Sequence, residues 1–136
     1  MPVQILIVDD HPVFIAGLRL LLQLNEDIEI VGEARDGQQA VDLTERLKPD
    51  VVVMDINMPD VNGIEATERI LAINPDAVVL ALSIHSGKRF VQGMIKAGAK
   101  GYLLKDAVPE ELNMAIKKLA QGGTYISPSI GKFDNF

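Results

Sequence analysis

Short aliphatic runs alternate along the chain with segments in which apolar residues return every three or four positions. Val3–Val8 is a continuous β-branched run, the pattern of a strand buried on both faces. Pro12 then sits in a predicted first helical turn, with Phe14, Leu18, Leu21 and Leu22 at helical spacing. Ile28–Ala34 reads as a second strand. Asp36 and Gln39 resemble a capping box ahead of a helix carrying Ala40, Leu43 and Leu47 on one face, and Lys48-Pro49 stops it. Val51–Asp55 is a third aliphatic strand, followed by the loop Asn57-Met58-Pro59-Asp60. Asn62 with Glu65 can cap a helix whose inner face is Ile64, Thr67, Ile70 and Leu71, ended by Asn74-Pro75. Ala77–Leu82 is a fourth strand. A weaker helix runs over about Lys88–Lys96 to Gly98, and Gly101–Leu104 is a short fifth strand. Pro109 opens a last helix with Val108, Leu112, Ala115, Ile116 and Leu119 on one side, closed by Gln121-Gly122-Gly123.

Five strands alternating with five helices predict an α/β fold: a five-stranded parallel sheet with helices on both faces. The strand order 2-1-3-4-5 is taken over from known doubly wound sheets; the residues alone do not fix it. Residues 1–121 form the expected domain. Residues 122–136, GGTYISPSIGKFDNF, carry Gly, Pro and Ser without a helical period and read as a linker or tail.

Composition narrows the function classes. The 136 residues suit one domain, and the apolar share of 48% is enough for a core that is aliphatic, since aromatics make up only 4%. No cysteine is present, so disulfides and thiolate metal sites are excluded. The N-terminal MPVQILIVDD lacks the basic start of a signal peptide, and two aspartates interrupt its apolar run. No run approaches the ~18 apolar residues of a membrane span. The formal net charge is -6, unfavourable for gripping a phosphate backbone directly.

Chemistry concentrates at the predicted strand ends. Asp9 and Asp10 follow the first strand and Asp55 ends the third. In an open parallel sheet, ligands bind beyond the carboxyl ends of strands where the strand order reverses. With the order above, the first and third strands are neighbours there and the three carboxylates converge. Two unit charges 4 Å apart repel by about 4 kcal/mol at an effective dielectric of ~20, so protons or a cation must relieve them. Oxygen ligands of this kind suit Mg²⁺, which keeps waters and seeks phosphate oxygens. Any one of these aspartates alone could merely cap a helix or turn; three at strand ends point to a site. Ser83 follows the fourth strand and Lys105 the fifth, a hydroxyl and an ammonium that suit a phosphoryl group. Asp55, ending a central strand, is then the candidate nucleophile. His11 and His85 flank this pocket and read more simply as solvated loop residues.

The blocks LIVDDHP, VVVMDINMPDVNGIE, LALS and GYLLKDA, in this order, resemble the receiver domain of two-component response regulators over about residues 3–120. The HP after the acidic pair, LALSIH, GYLLKDA and GGTYISP resemble most the NarL/FixJ (LuxR-type) subfamily. The resemblance implies that Asp55 is the phosphoacceptor. It implies that Asp10, Asp55 and the backbone carbonyl of Asn57 bind Mg²⁺, with Asp9 acting through metal-bound water. Ser83 would bind a phosphoryl oxygen, Lys105 would pair with the phosphoryl group or with Asp55, and Tyr102 would turn inward when Ser83 moves. The implied donor is a phosphohistidine on a sensor histidine kinase, and the implied place of action is the cytoplasm. Relatives dimerise when phosphorylated, and the first and last helices are the expected surface. DNA would be met only through a C-terminal helix-turn-helix domain outside this chain; a stand-alone receiver acting through protein contacts is the alternative. Receivers often have proline after the strand-five lysine, where this chain has Asp106.

Three other functions fit less well. A haloacid-dehalogenase-type phosphatase needs an acid two residues after the nucleophile, where this chain has Asn57. A flavodoxin-like nucleotide or flavin binder needs a phosphate-cradling loop where this chain has Asp-Asp-His-Pro. A pseudo-receiver usually lacks the acceptor or the lysine, and both are present.

Overall fold

The computed structural model describes residues 2–58 and 61–130. Pro59 and Asp60 of the expected loop, and the ending GKFDNF, lie outside the described residues. Strands and helices alternate as β1 (Val3–Val8), α1 (Pro12–Gln23), β2 (Ile28–Ala34), α2 (Gly37–Leu47), β3 (Val51–Asp55), α3 (Gly63–Ile73), β4 (Val79–Ser83), α4 (Lys88–Ala97), β5 (Gly101–Leu104), α5 (Val108–Ala120) and β6 (Tyr125–Ile126). All pair in parallel in the order β2-β1-β3-β4-β5-β6. The expected five-strand order is present, extended by one strand at the β5 edge.

The uninterrupted aliphatic runs follow from burial on both faces. In β1, Ile5 and Ile7 pack with Ile15, Leu18 and Leu22 of α1 and Leu112 and Ile116 of α5. Leu6 and Val8 point the other way, into a layer with Ala40 of α2, Ile70 of α3 and Met94 of α4. Each fully buried Leu or Ile contributes about 1.5–3 kcal/mol, so the sheet is fixed from two sides and its strand ends are firm supports for side chains.

Local signals set the helix ends. Asp36 accepts from the Gln39 N–H at 2.8 Å, while the Gln39 side chain accepts from Arg35 N–H at 2.9 Å, one residue earlier than in a regular capping box. Asn62 accepts from the Glu65 N–H at 2.9 Å. Gly98 ends α4 at a φ of 110°, a conformation that disfavours any side chain. Strand β4 begins at Val79, two residues later than the apolar run predicts. Asn74 takes those residues into a turn, accepting from Asp76 N–H at its side chain and from Ala77 N–H at its carbonyl, both at 3.1 Å. The larger departure is beyond α5. The segment read as a linker forms β6, whose Tyr125 and Ile126 lie beside Gly101 and Tyr102. The sheet therefore continues past the expected boundary at Gln121.

One glycine is dictated by the approach of α3 to the end of β3. A Cβ at Gly63 would collide with the Asp55 carbonyl oxygen and with Ile56 Cα, and the Gly63 N–H donates to the Ile56 carbonyl at 2.8 Å. Gly63→Ala must push α3 away from the strand end that carries Asp55. The expected cost is about 1–3 kcal/mol of stability, measured as a lower denaturation midpoint in urea with an unchanged slope.

Candidate functional site

The β1–β3 adjacency brings the acids together. Asp9 and Asp10 leave the end of β1, and Asp55 is the last residue of β3; Asp9 is 1% exposed and Asp55 4%. One ligand atom from each of Asp9, Asp10, His11 and Asp55 lies within 4.8 Å of the others. Asp10, His11 and Asp55 open into a cleft of about 500 Å³ that Asn57, Phe14 and Lys105 also line.

Lys105 supplies the opposing charge. Its Nζ lies 2.9 Å from Asp9 Oδ2 and 3.7 Å from Asp55 Oδ1, with only 12% of the side chain exposed. It also sits 4.4 Å from the centre of the Phe14 ring, a cation–π contact from the first turn of α1. Asp106 follows it through a trans bond. One ammonium does not balance three carboxylates. Burial first, and then the Asp9 charge, push the Asp55 carboxyl up to about 6, although Lys105 and the Asn57 N–H oppose them. Asp55 Oδ2 and Asp10 Oδ1 are buried and accept no hydrogen bond among the described residues. Two orphaned carboxylate oxygens side by side fit a hard cation, which such groups hold through oxygen alone.

His11, expected as a solvated bystander, is 59% exposed, but its ring takes part. Nδ1 lies 2.7 Å from Asp9 Oδ1, 3.2 Å from Asp10 Oδ1 and 3.8 Å from Asp55 Oδ2. The hydrogen bond to Asp9 is the main reason its pKa is raised. The sequence signal was its place at the N-cap of α1, directly after the acidic pair.

The other expected residues are displaced from the carboxylates to differing degrees. Asn57 sets its side chain against the His85 ring. His85 stacks on Phe90 of α4 at 4.0 Å and 12°. Ser83 is 1% exposed but is not among the cleft-lining side chains; its hydroxyl accepts from the His85 N–H at 3.0 Å. Tyr102 is fully buried and donates to the His85 carbonyl at 2.7 Å. Burial raises its pKa, against a lowering by the Ser83 hydroxyl. Asp9, Asp10, Asp55 and Lys105 thus form one cluster with His11, while Ser83 and Tyr102 both bond to the His85 backbone after β4. The pairing of His85 with Asn57 and Phe90 was not visible in the sequence, because stacking across a turn leaves no spacing pattern.

Comparison with known proteins agrees with this geometry. Residues 5–117 match the response regulator receiver domain family. The chain is 46% identical over 128 residues to the transcriptional regulatory protein DegU of Brevibacillus brevis, covering 94% of this chain and 54% of that protein. It is 36% identical to the nitrate/nitrite response regulator protein NarL of Escherichia coli K12, covering 95% of this chain and 60% of that one. Among solved structures, the crystal structure of a LuxR-family two-component response regulator from Aurantimonas sp. SI85-9A1 superposes with a TM-score of 0.92 at 37% identity, covering 96% and 93% of the two chains. The chain belongs to the response regulator receiver domain family, as the sequence resemblance implied. It spans little more than half the length of the DegU and NarL proteins it matches.

With divalent cations chelated, Asp55→Asn is expected to stabilise the fold near pH 7 by on the order of 1 kcal/mol, because it removes a buried charge that Lys105 offsets only in part. The folded-state pKa of Asp55 is about 6 and lies above its ordinary value of 3.8, so folding takes up a proton on this group between those values. Its contribution to wild-type stability therefore rises as pH falls through that window. Thermal melts of both chains should show the advantage of the variant shrinking from about pH 7.5 to about pH 5. An advantage that is absent, or that grows towards acid, contradicts this account of Asp55.

Proposed function

We propose that this receiver is a phosphoacceptor switch, with Asp55 taking a phosphoryl group from a phosphohistidine on a sensor histidine kinase. The observation that carries the reading is a buried carboxylate with one unpartnered oxygen, set between two further acids and a nearly buried ammonium. A carboxylate oxygen of Asp55 attacks phosphorus in line; the new P–O bond forms as the P–N bond breaks, and the electron pair returns to the donor imidazole. Lys105 is already between Asp9 and Asp55, and it turns from the carboxylates to the phosphoryl oxygens as their charge grows.

Asp10 and Asp55 would hold Mg²⁺, with the Asn57 carbonyl and with Asp9 through water. The ion, when bound, neutralises charge on the phosphoryl oxygens that the acids would otherwise repel. The acyl phosphate then draws in the Ser83 hydroxyl, now engaged by the His85 N–H, and Tyr102 lies next to the space that this movement changes. The β4–α4 turn and β5 are the elements biased by the switch.

Homodimerisation of the phosphorylated form through α1 and α5 is supported by exposed Val13 and Leu20 on α1, Leu24 at its C-cap and Met114 on α5. DNA is reached only through a further domain, as the names of transcriptional relatives suggest. Family membership is what supports the cytoplasm as its place of action.

Acetyl phosphate with Mg²⁺ should add one phosphate to the chain by intact-mass spectrometry. The Asp55→Asn chain, or chelation of the metal, should abolish the addition. Label retained on that variant would move the acceptor elsewhere. Asp10→Asn should weaken Mg²⁺ binding by about tenfold or more without unfolding the domain, measured by calorimetry and circular dichroism. Lys105→Ala should keep part of the phosphorylation but lose the phosphorylation-dependent change in surface. Full switching in that variant would remove Lys105 from the mechanism.

A further inference from the structure

The segment beyond α5 ends in a set of contacts that the phosphoryl chemistry does not use. Strand β6 covers only the first half of the outer edge of β5, pairing at Gly101 and Tyr102. Beyond that point the edge would expose the Leu104 N–H, two residues past Tyr102 and one before Lys105. Ser127 takes it over. Its hydroxyl accepts from the Leu104 N–H at 3.0 Å, and its own N–H donates to the Tyr102 carbonyl at 2.9 Å. Ser127 is itself fully buried. A leftover backbone donor in such a place costs about 1–3 kcal/mol, so this serine closes a gap that the short strand leaves.

Glu111 of α5 fastens the same segment from below. Its Oε1 accepts from the Tyr125 hydroxyl at 2.5 Å and from the Ser127 hydroxyl at 3.3 Å. The Ser127 proton is thus committed to Glu111, which leaves an oxygen lone pair for Leu104. Burial first, and then the Glu111 carboxylate, push the Tyr125 phenol up to about 12, so it remains a donor. Ile130 folds over and packs on the layer that contains Tyr102. Tyr102 is therefore held twice, by Ser127 at its carbonyl and by the His85 carbonyl at its hydroxyl.

We infer that Ser127, set by Glu111 and Tyr125, is a positioning residue for the phosphoryl site: it fixes the edge of β5 from which Tyr102 and Lys105 are presented, so docking of residues 125–130 and phosphoryl binding at Asp55 favour one another. The inference rests on the reading of Asp55 as the phosphoryl site. Linkage makes the effect reciprocal. A strap that favours the arrangement of Tyr102 and Lys105 needed by the phosphoryl group tightens its binding. The bound group tightens the strap by the same factor.

The test uses the full 136-residue chain with beryllofluoride and Mg²⁺ as the phosphoryl mimic. Ser127→Ala should weaken beryllofluoride binding by about five- to tenfold, and Ser127→Thr, which keeps the hydroxyl, should restore it. Tyr125→Phe removes one donor to Glu111 without opening the β5 edge and should weaken binding less; it stands in if Ser127→Ala does not fold. In the wild type, the mimic should slow hydrogen exchange at the Ser127 and Leu104 amides. Wild-type affinity in folded Ser127→Ala and Tyr125→Phe chains, with no change in exchange at those amides, overturns the inference and leaves the Asp55 reading intact. A wild-type chain that takes up no beryllofluoride overturns both.

Discussion

The repulsion among Asp9, Asp10 and Asp55 is the constraint around which the rest of the molecule is arranged. It arises because β1 and β3 are neighbours and both end in acids, so the topology itself brings like charges to within a few ångströms. Such a cluster persists only if the scaffold is stiffer than the force pushing it apart. Here two aliphatic layers clamp the strands, and the close approach of Gly63 fixes the backbone at Asp55. Part of the charge is offset by Lys105 and by the His11 ring. The remainder appears as a raised Asp55 pKa and as carboxylate oxygens with nothing to accept. That unspent interaction is what a cation and a phosphoryl group can use.

The offsetting cation is itself held with little freedom. Lys105 comes from the end of β5, with Asp9 on one side and the Phe14 ring on the other. A surface lysine would sample many rotamers, and fixing it would cost about 1.5–2 kcal/mol of side-chain entropy. In this position that loss is met on folding, before any ligand arrives. The ammonium is then available to follow negative charge from the acids to a ligand over a short distance.

Much of this was legible in the sequence for a physical reason. Strands buried on both faces must be continuous aliphatic runs, so β1 and β3 stand out, and the first polar residue after each marks a strand end. Asp9, Asp10 and Asp55 could therefore be placed together once a strand order was assumed. Lys105 was readable in the same way. What escaped notice depends on contacts without periodicity. Strand β6 is two residues long, too short for any alternation to register, and it exists because β5 offers an unpaired edge. Ser127 looked like a linker residue because its burial is set by partners on β5 and α5. His11 looked like a loop histidine because exposure of its side chain, taken alone, does not reveal that one ring nitrogen faces the acids. Ser83 was correctly placed at a strand end, but its hydroxyl turns to the His85 N–H, a local choice that a strand pattern cannot predict.

These contacts give the two halves of the site different mechanical characters. The acids stand on β1 and β3, whose paired neighbours and two core layers resist displacement. Ser83 and Tyr102 stand on β4 and β5 and Lys105 just after β5, where β6 pairs only with Gly101 and Tyr102 and side-chain bonds to short turns do the rest: Ser83 to His85, Tyr102 to His85, Leu104 to Ser127. A charge added to Asp55 cannot readily move the acids, because that would disturb two core layers at once. It can exchange one hydrogen bond for another on the β4 and β5 side at a cost of about 1 kcal/mol each. On the proposed reading, a conformational response would run towards α4, β5 and the strap, where hydrogen bonds are exchanged most cheaply, without any need for a dedicated path between them.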